Sequence, residues 1–224
     1  MDAHDAAKRA AGRAALAYVT PGALLGVGTG STVRHFVEAL GESDARPSAA
    51  VPTSSDTERL LREIGVPLIA LEFAEVPIPV YVDGADEVDR LGRAIKGGGG
   101  AHAAEKRVAR ASSTWVCIVD ESKLVTRLGE SAPVPLEVTE GSLDVVIASV
   151  ESMGGSATVR ADSRADSGNP LVDVRGLDLS DPERTEDELE GIPGVVACGI
   201  FAHRRADVVV VGRVDGSVSE FETG

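Results

Sequence analysis

Two stretches of this sequence carry residue types and spacings suited to acid–base chemistry. In Val80-Tyr81-Val82-Asp83-Gly84-Ala85-Asp86-Glu87-Val88-Asp89, four carboxylates fall within seven positions, directly after the apolar run Ile78–Val82. A solvated acidic turn would look similar. An apolar strand that ends in Asp83, however, puts that carboxylate at the carboxyl edge of a sheet, where α/β proteins bind ligands. The second stretch is Ile95-Lys96-Gly97-Gly98-Gly99-Gly100, followed by Ala101-His102-Ala103-Ala104-Glu105-Lys106. Consecutive glycines let the backbone approach a ligand and offer N–H groups to an oxyanion, and Lys96 adds a point positive charge. Glu105 falls in the first turns of the helix that follows. A flexible linker would carry serines and polar flanks, whereas this run joins an apolar strand to an alanine-rich helix.

A third feature, Gly26-Val27-Gly28-Thr29-Gly30-Ser31-Thr32, lies between a strand and a helix. That placement aims backbone amides and the positive end of a helix at an anion, and Thr29, Ser31 and Thr32 add hydroxyls. A dinucleotide fingerprint would need glycine or alanine where Ser31 stands, and an acidic residue at the end of the next strand. That strand ends in Val51-Pro52-Thr53-Ser54-Ser55, so a nicotinamide cofactor is not expected. The Gly-Lys-Ser/Thr of a Walker loop is also missing. A phosphate-type anion site fits better than a bland turn.

The elements that must hold these residues alternate. Helical patterns cover Ala3–Tyr18, Ser31–Leu40 (N-cap Ser31 or Gly30), Thr57–Ile64 and Ala101–Arg110. Between them, short apolar runs predict strands at Leu24–Val27, Ala49–Val51, Pro67–Leu71, Ile78–Val82 and Trp115–Val119. Such alternation predicts an α/β fold with a largely parallel sheet covered on both faces. After about Arg127 the rhythm changes. Strands at 133–138, 157–160, 171–174 and 195–200, with helices at 142–153 and 182–189, give β-α-β-β-α-β, the order of a smaller inserted ferredoxin-like α+β domain. Ala206–Val211 is expected to rejoin the main sheet. The expected division is 1–128 plus 205–224 for the larger domain and 129–204 for the smaller.

Composition narrows the partners. The net charge of −14 argues against nucleic acid and anionic lipid. No apolar run is long enough to span a bilayer, and Met1-Asp2-Ala3-His4-Asp5 lacks the start of a signal peptide, which predicts a cytoplasmic protein with no membrane partner. Cys117 and Cys198 sit in apolar runs and, with four scattered histidines, match no zinc spacing, so no metal is expected. Only four residues are lysines, against eighteen arginines. An acidic, lysine-poor surface predicts tolerance of, or need for, high salt.

Taken in order, Gly26–Thr32, Val51-Pro52-Thr53-Ser54, Tyr81-Val82-Asp83-Gly84-Ala85-Asp86-Glu87, Ile95–Gly100 with Glu105-Lys106, and Glu121-Ser122-Lys123 resemble the motifs of type A ribose-5-phosphate isomerases. Gly168-Asn169, Ile192-Pro193-Gly194-Val195-Val196 and Ala206-Asp207 extend the resemblance over nearly the whole chain. The resemblance implies a Rossmann-like α/β domain with a small ferredoxin-like one, and aldose–ketose isomerisation of ribose 5-phosphate through an enediolate, without a cofactor, by a homodimer or homotetramer. It gives Glu105 the role of carbon base, and Lys96 with Gly97, Gly98 and Gly99 that of oxyanion stabiliser. Asp83 and Asp86 would move hydroxyl protons. Thr29, Gly30, Ser31 and Thr32, helped by Lys8 and Lys123, would hold the phosphate, with Ser54 and Ser55 lining the cleft. Three of the four lysines thus fall at ligand positions, where a compact charge suits better than a guanidinium. The chain departs from the family pattern at His102-Ala103-Ala104, where His102 is expected to pack rather than to catalyse. A related amino-sugar phosphate enzyme or a non-catalytic sugar-phosphate sensor would share the anion loop, but a sensor has no need of Lys96 and Glu105 together.

Overall fold

A computed structural model describes residues 3–224; Met1 and Asp2, which open the stretch read above as lacking a signal peptide, lie outside them. The chain divides into two compact units. The first comprises the chain up to Ala85, Ala104–Leu124 and Ala206–Gly224; the second comprises Asp86–Ala103 and Val125–Arg205. The segment Asp86–Ala103, grouped with the larger domain in the expected division, thus packs with the second unit.

In the first unit, β1 (Leu24–Val27), β2 (Ala49–Pro52), β3 (Ile78–Asp83), β6 (Ser112–Asp120), β12 (Val208–Gly212) and β13 (Val218–Glu222) form one sheet in the order β13-β12-β6-β3-β1-β2. All neighbours are parallel except the edge pair β12–β13. Buried on both faces, β6 and β12 read as continuous apolar runs, Trp115–Val119 and Val208–Val211, as parallel strands must. Helices α1 (Ala3–Ala14, continued by a 3-10 turn, Ala15–Tyr18) and α2 (Ser31–Glu42) cover one face, with Leu25, Val27, Val33 and Phe36 in their shared core. Residue 26 points the other way, as strand alternation requires. A side chain there would overlap Val108 of α4 (His102–Arg110), so Gly26 is what lets that helix lie close. Helix α3 (Ser55–Glu63) follows β2.

In the second unit, β7 (Val134–Val138), α5 (Leu143–Ser152), β8 (Ser156–Arg164), β9 (Pro170–Arg175), α6 (Pro182–Glu190) and β10 (Val195–Cys198) make an antiparallel sheet in the order β10-β7-β9-β8. This is the ferredoxin-like arrangement. A small second sheet, β11-β5-β4, joins Ile200–Phe201, Ala94–Ile95 and Glu87–Val88.

Two expected strands are corrected. Pro67–Leu71 pairs with β2 only at Leu68, because Pro67 offers no N–H, and the chain then turns into a 3-10 segment at Leu71–Phe73. The run 195–200 is not one strand. It breaks at Gly199, whose N–H donates to the Pro135 carbonyl and whose own carbonyl accepts from the Lys96 N–H, so its two halves join different sheets. The Pro135 carbonyl and the Lys96 backbone would collide with any side chain at that position.

Candidate active site

In the first unit, β1 delivers the chain to Gly28 and α2 begins at Ser31, with Gly30 as its N-cap at φ 126°, a conformation that favours glycine. The first amides of α2 have no partner within the helix and point out of its positive end. The loop before it is held by hydroxyls. Thr29 Oγ1 lies 2.8 Å from both Thr53 Oγ1 and Ser54 Oγ, the Ser54 hydroxyl donates to Thr57 Oγ1 at 3.1 Å, and Thr57 Oγ1 donates to the Gly28 carbonyl at 2.6 Å. Ser54 also caps α3 by accepting from the Thr57 N–H. Thr29 and Ser54 therefore spend their hydroxyls on shaping the loop, whereas Ser31 and Ser55 are exposed and Thr32 is buried.

Asp83, fully buried at the end of β3, is fixed beside that loop. Its Oδ1 accepts from the Thr29 N–H at 3.0 Å and the Gly84 N–H at 2.7 Å, and its Oδ2 accepts a short bond from the Tyr81 hydroxyl. A Cβ on Gly28 would overlap the Asp83 carboxyl, so the two residues fit only because residue 28 is glycine. Burial first, then the negative charges of Asp83 and Glu105, holds the Tyr81 phenol well above its usual pKa, so it stays a donor. Asp83 and Glu105, 4% exposed in the first turn of α4, thus both act on one buried hydroxyl.

At the end of β6, Asp120 accepts from the Ser122 N–H at 3.0 Å and from its hydroxyl. Burial alone would raise this carboxyl, but those two bonds and the charges of Lys8 and Lys123 outweigh it and hold it low. The half-buried lysines expected to hold phosphate thus share one carboxylate.

In the second unit, Asp86 and the glycine run are joined directly, the Gly98 N–H donating to Asp86 Oδ2 at 2.8 Å. Gly97 and Gly100 have φ of 109° and 78°, and Gly100 N–H donates back to the Gly97 carbonyl at 3.0 Å, so the run is a tight turn and not a linker. Gly98 and Gly99 are its exposed tip. Lys96 is 3% exposed, its backbone N–H pinned by the Gly199 carbonyl and its ammonium 5.7 Å from the centre of the Phe201 ring. His102 is fully buried, with Nε2 3.2 Å from the Ala197 carbonyl and its ring against Gly97, a packing position. Among the described residues, no group of three or more His, Cys, Asp or Glu converges as a metal site.

Sequence reasoning missed Tyr81, Thr53, Thr57 and Asp120. Tyr81 alternates with Asp83 along β3, and that period-2 spacing was the available signal.

Buried carboxylates at strand ends, beside a glycine turn that opens a helix, fit an α/β enzyme that acts on a small anionic compound. The sequence profile of ribose 5-phosphate isomerase A (phosphoriboisomerase A) matches residues 49–216. A ribose-5-phosphate isomerase A of Acidithiobacillus ferrooxidans is 47% identical over 214 residues, which cover 96% of this chain and 97% of that protein. The crystal structure of ribose 5 phosphate isomerase A from Neisseria gonorrhoeae matches with a TM-score of 0.95 at 41% identity, covering 99% of this chain and 98% of that one. A D-ribose-5-phosphate isomerase solved in complex with phospho-erythronic acid matches with a TM-score of 0.90 at 36% identity, over 96% and 97% of the two chains. The chain belongs to the ribose 5-phosphate isomerase A family, and so is an aldose–ketose isomerase that interconverts ribose 5-phosphate and ribulose 5-phosphate.

Proposed function

We propose that the reaction runs through a cis-enediolate with Glu105 as the carbon base. Glu105 takes the C2 proton of the open-chain aldose, and the electron pair moves into the C1 carbonyl, making the enediolate. The proton returns to C1 while another passes from O2 to O1, leaving the ketose. Lys96 and the turn formed by Gly97, Gly98 and Gly99 stabilise the oxyanion. Asp83 and Asp86 carry the hydroxyl protons, including those of ring opening. The phosphate rests on Thr29, Gly30, Ser31 and Thr32 with Lys8 and Lys123, and Ser54 and Ser55 border it. The observation that carries the reading is that one compact unit buries both Asp83, bonded to the Tyr81 hydroxyl at the end of β3, and Glu105, in the first turn of α4. A working homodimer or homotetramer is supported by the exposed apolar side chains of Phe73 and Val76, which a partner copy would cover. A cytoplasmic setting is supported by the two buried free thiols.

The test is Glu105→Gln, assayed for ribulose 5-phosphate formation from ribose 5-phosphate. Turnover is expected to fall by about 10²–10⁴-fold, with inhibition by inorganic phosphate unchanged. Near-native turnover would remove Glu105 from the base role.

A further inference from the structure

A glycine run has no preferred conformation of its own, so something else must fix the direction of its amides. In the second unit that frame is an arginine on the edge strand. Arg160 lies on β8, where the register with β9 shifts between Val159 and Arg164, an irregularity of the kind that re-aims a side chain. Its Nε donates to Asp173 Oδ2 at 2.7 Å and its Nη2 to Asp173 Oδ1 at 2.6 Å, a two-point fork that fixes the guanidinium plane. The remaining nitrogen, Nη1, donates to the Gly97 carbonyl at 3.2 Å and the Gly98 carbonyl at 3.0 Å.

We propose that Arg160, locked by Asp173, is a positioning residue for the isomerisation, holding the Gly97 and Gly98 carbonyls so that the Gly99 N–H is presented to the enediolate oxygen. A trans peptide points its C=O and N–H in opposite directions. With the Gly98 carbonyl held by Arg160, the Gly99 N–H faces away from the arginine. The neighbouring Gly98 N–H is already engaged by Asp86, and the Gly100 N–H by the Gly97 carbonyl. Among the described residues, the Gly99 N–H donates to no protein group, and it sits at the exposed tip of the turn. The Gly99 amide at the exposed tip is thereby left for a ligand. The proposal rests on the enediolate reading above. A plain surface ion pair at a sheet edge contributes little and would leave turnover alone, which is what separates the two.

The experiment compares Arg160→Gln, Asp173→Asn, the double variant and Arg160→Lys with the native enzyme. For Arg160→Gln, turnover of ribose 5-phosphate is expected to fall about 10- to 100-fold, with KM changed by less than about twofold, because a misaimed donor is felt in the transition state. Phospho-erythronic acid, whose carboxylate resembles the enediolate, should inhibit more weakly by a similar factor, while inhibition by inorganic phosphate stays unchanged. Asp173→Asn should lose less, the double variant no more than Arg160→Gln alone, and Arg160→Lys should fall between. Amide hydrogen exchange at Gly98 and Gly100 should quicken in Arg160→Gln whatever the chemistry. Quickened exchange together with near-native turnover in Glu105→Gln would leave the clamp standing and remove the base assignment. Turnover in Arg160→Gln within twofold of native overturns the proposal. So does a loss in which phosphate inhibition and melting temperature decline in step, the mark of general unfolding.

Discussion

Two glycine-rich turns in this chain precede helices, and they are held in opposite ways. Gly28–Gly30 is shaped by hydroxyls from the neighbouring strand end and helix, Thr53, Ser54 and Thr57, and by the buried Asp83. Gly97–Gly100 is shaped by charged side chains, Asp86 on one edge and the Arg160–Asp173 pair on the other. The first frame is neutral apart from Asp83 and leaves the amides of a helix end open to a dianion. The second surrounds its tip with formal charges and leaves the Gly99 amide open there. Each suits its expected load, since a phosphate needs many weak donors at once and an enediolate oxygen needs one well-aimed donor near a cation.

The comparison breaks most easily at Gly28. In Gly28→Ala the new Cβ would meet the Asp83 carboxyl, so either the loop or the carboxylate must move. Turnover is expected to fall about 10²-fold from misplacement, with stability lower by about 1–3 kcal/mol, as steady-state kinetics and thermal melting would show. A variant with native kinetics would mean that the loop and Asp83 are independent.

Next in size is Tyr81→Phe, which removes a donor from a buried carboxylate. A bond of this kind contributes about 1.5–3 kcal/mol to stability, and if about half of that is felt in the transition state kcat should drop about tenfold with little change in KM. The same residue predicts behaviour in alkali. Its pKa is raised in the folded chain, so its contribution to stability is complete below the unfolded value of about 10 and is lost as pH rises from there toward the folded value. Tyr18, pushed up to about 12 by burial and by Glu220, acts in the same direction. Native protein should thus melt at falling temperature above pH of about 10, and Tyr81→Phe should flatten that fall.

The smallest effect is expected from Thr57→Val. It deletes the hydroxyl that donates to the Gly28 carbonyl, at a cost of about 1 kcal/mol in stability. KM for ribose 5-phosphate should rise more than kcat falls if, as proposed, this side of the site binds phosphate. A change in kcat alone would place Thr57 with the chemistry and blur the contrast between the two turns.

Much of this was legible without coordinates. The strand Leu24–Val27, the glycine turn and the helix from Ser31 follow from local rules, because a βα turn is made by residues adjacent in sequence. Asp83 at a strand end was readable for the same reason. Tyr81 was readable only as an apolar strand residue, since nothing local says that its hydroxyl turns toward Asp83. The break at Gly199 was hidden because Val195–Ile200 looks like one apolar strand, and the reason for the break is a backbone more than 60 residues away.

Residue chemistry and order along the chain by themselves determined the α/β frame, the ferredoxin-like arrangement and the two glycine turns, and singled out Asp83, Asp86, Lys96 and Glu105 as candidates. These depend on hydrophobic period, turn residues and short-range spacing, all of which are local. Only the tertiary structure decided which hydroxyls are spent on the loop, that Tyr81 serves Asp83, and that Arg160 and Asp173 frame a turn some 60 residues earlier. Those pairings depend on which strands become neighbours and in what register, and that is set by the packing of the whole sheet rather than by any one segment.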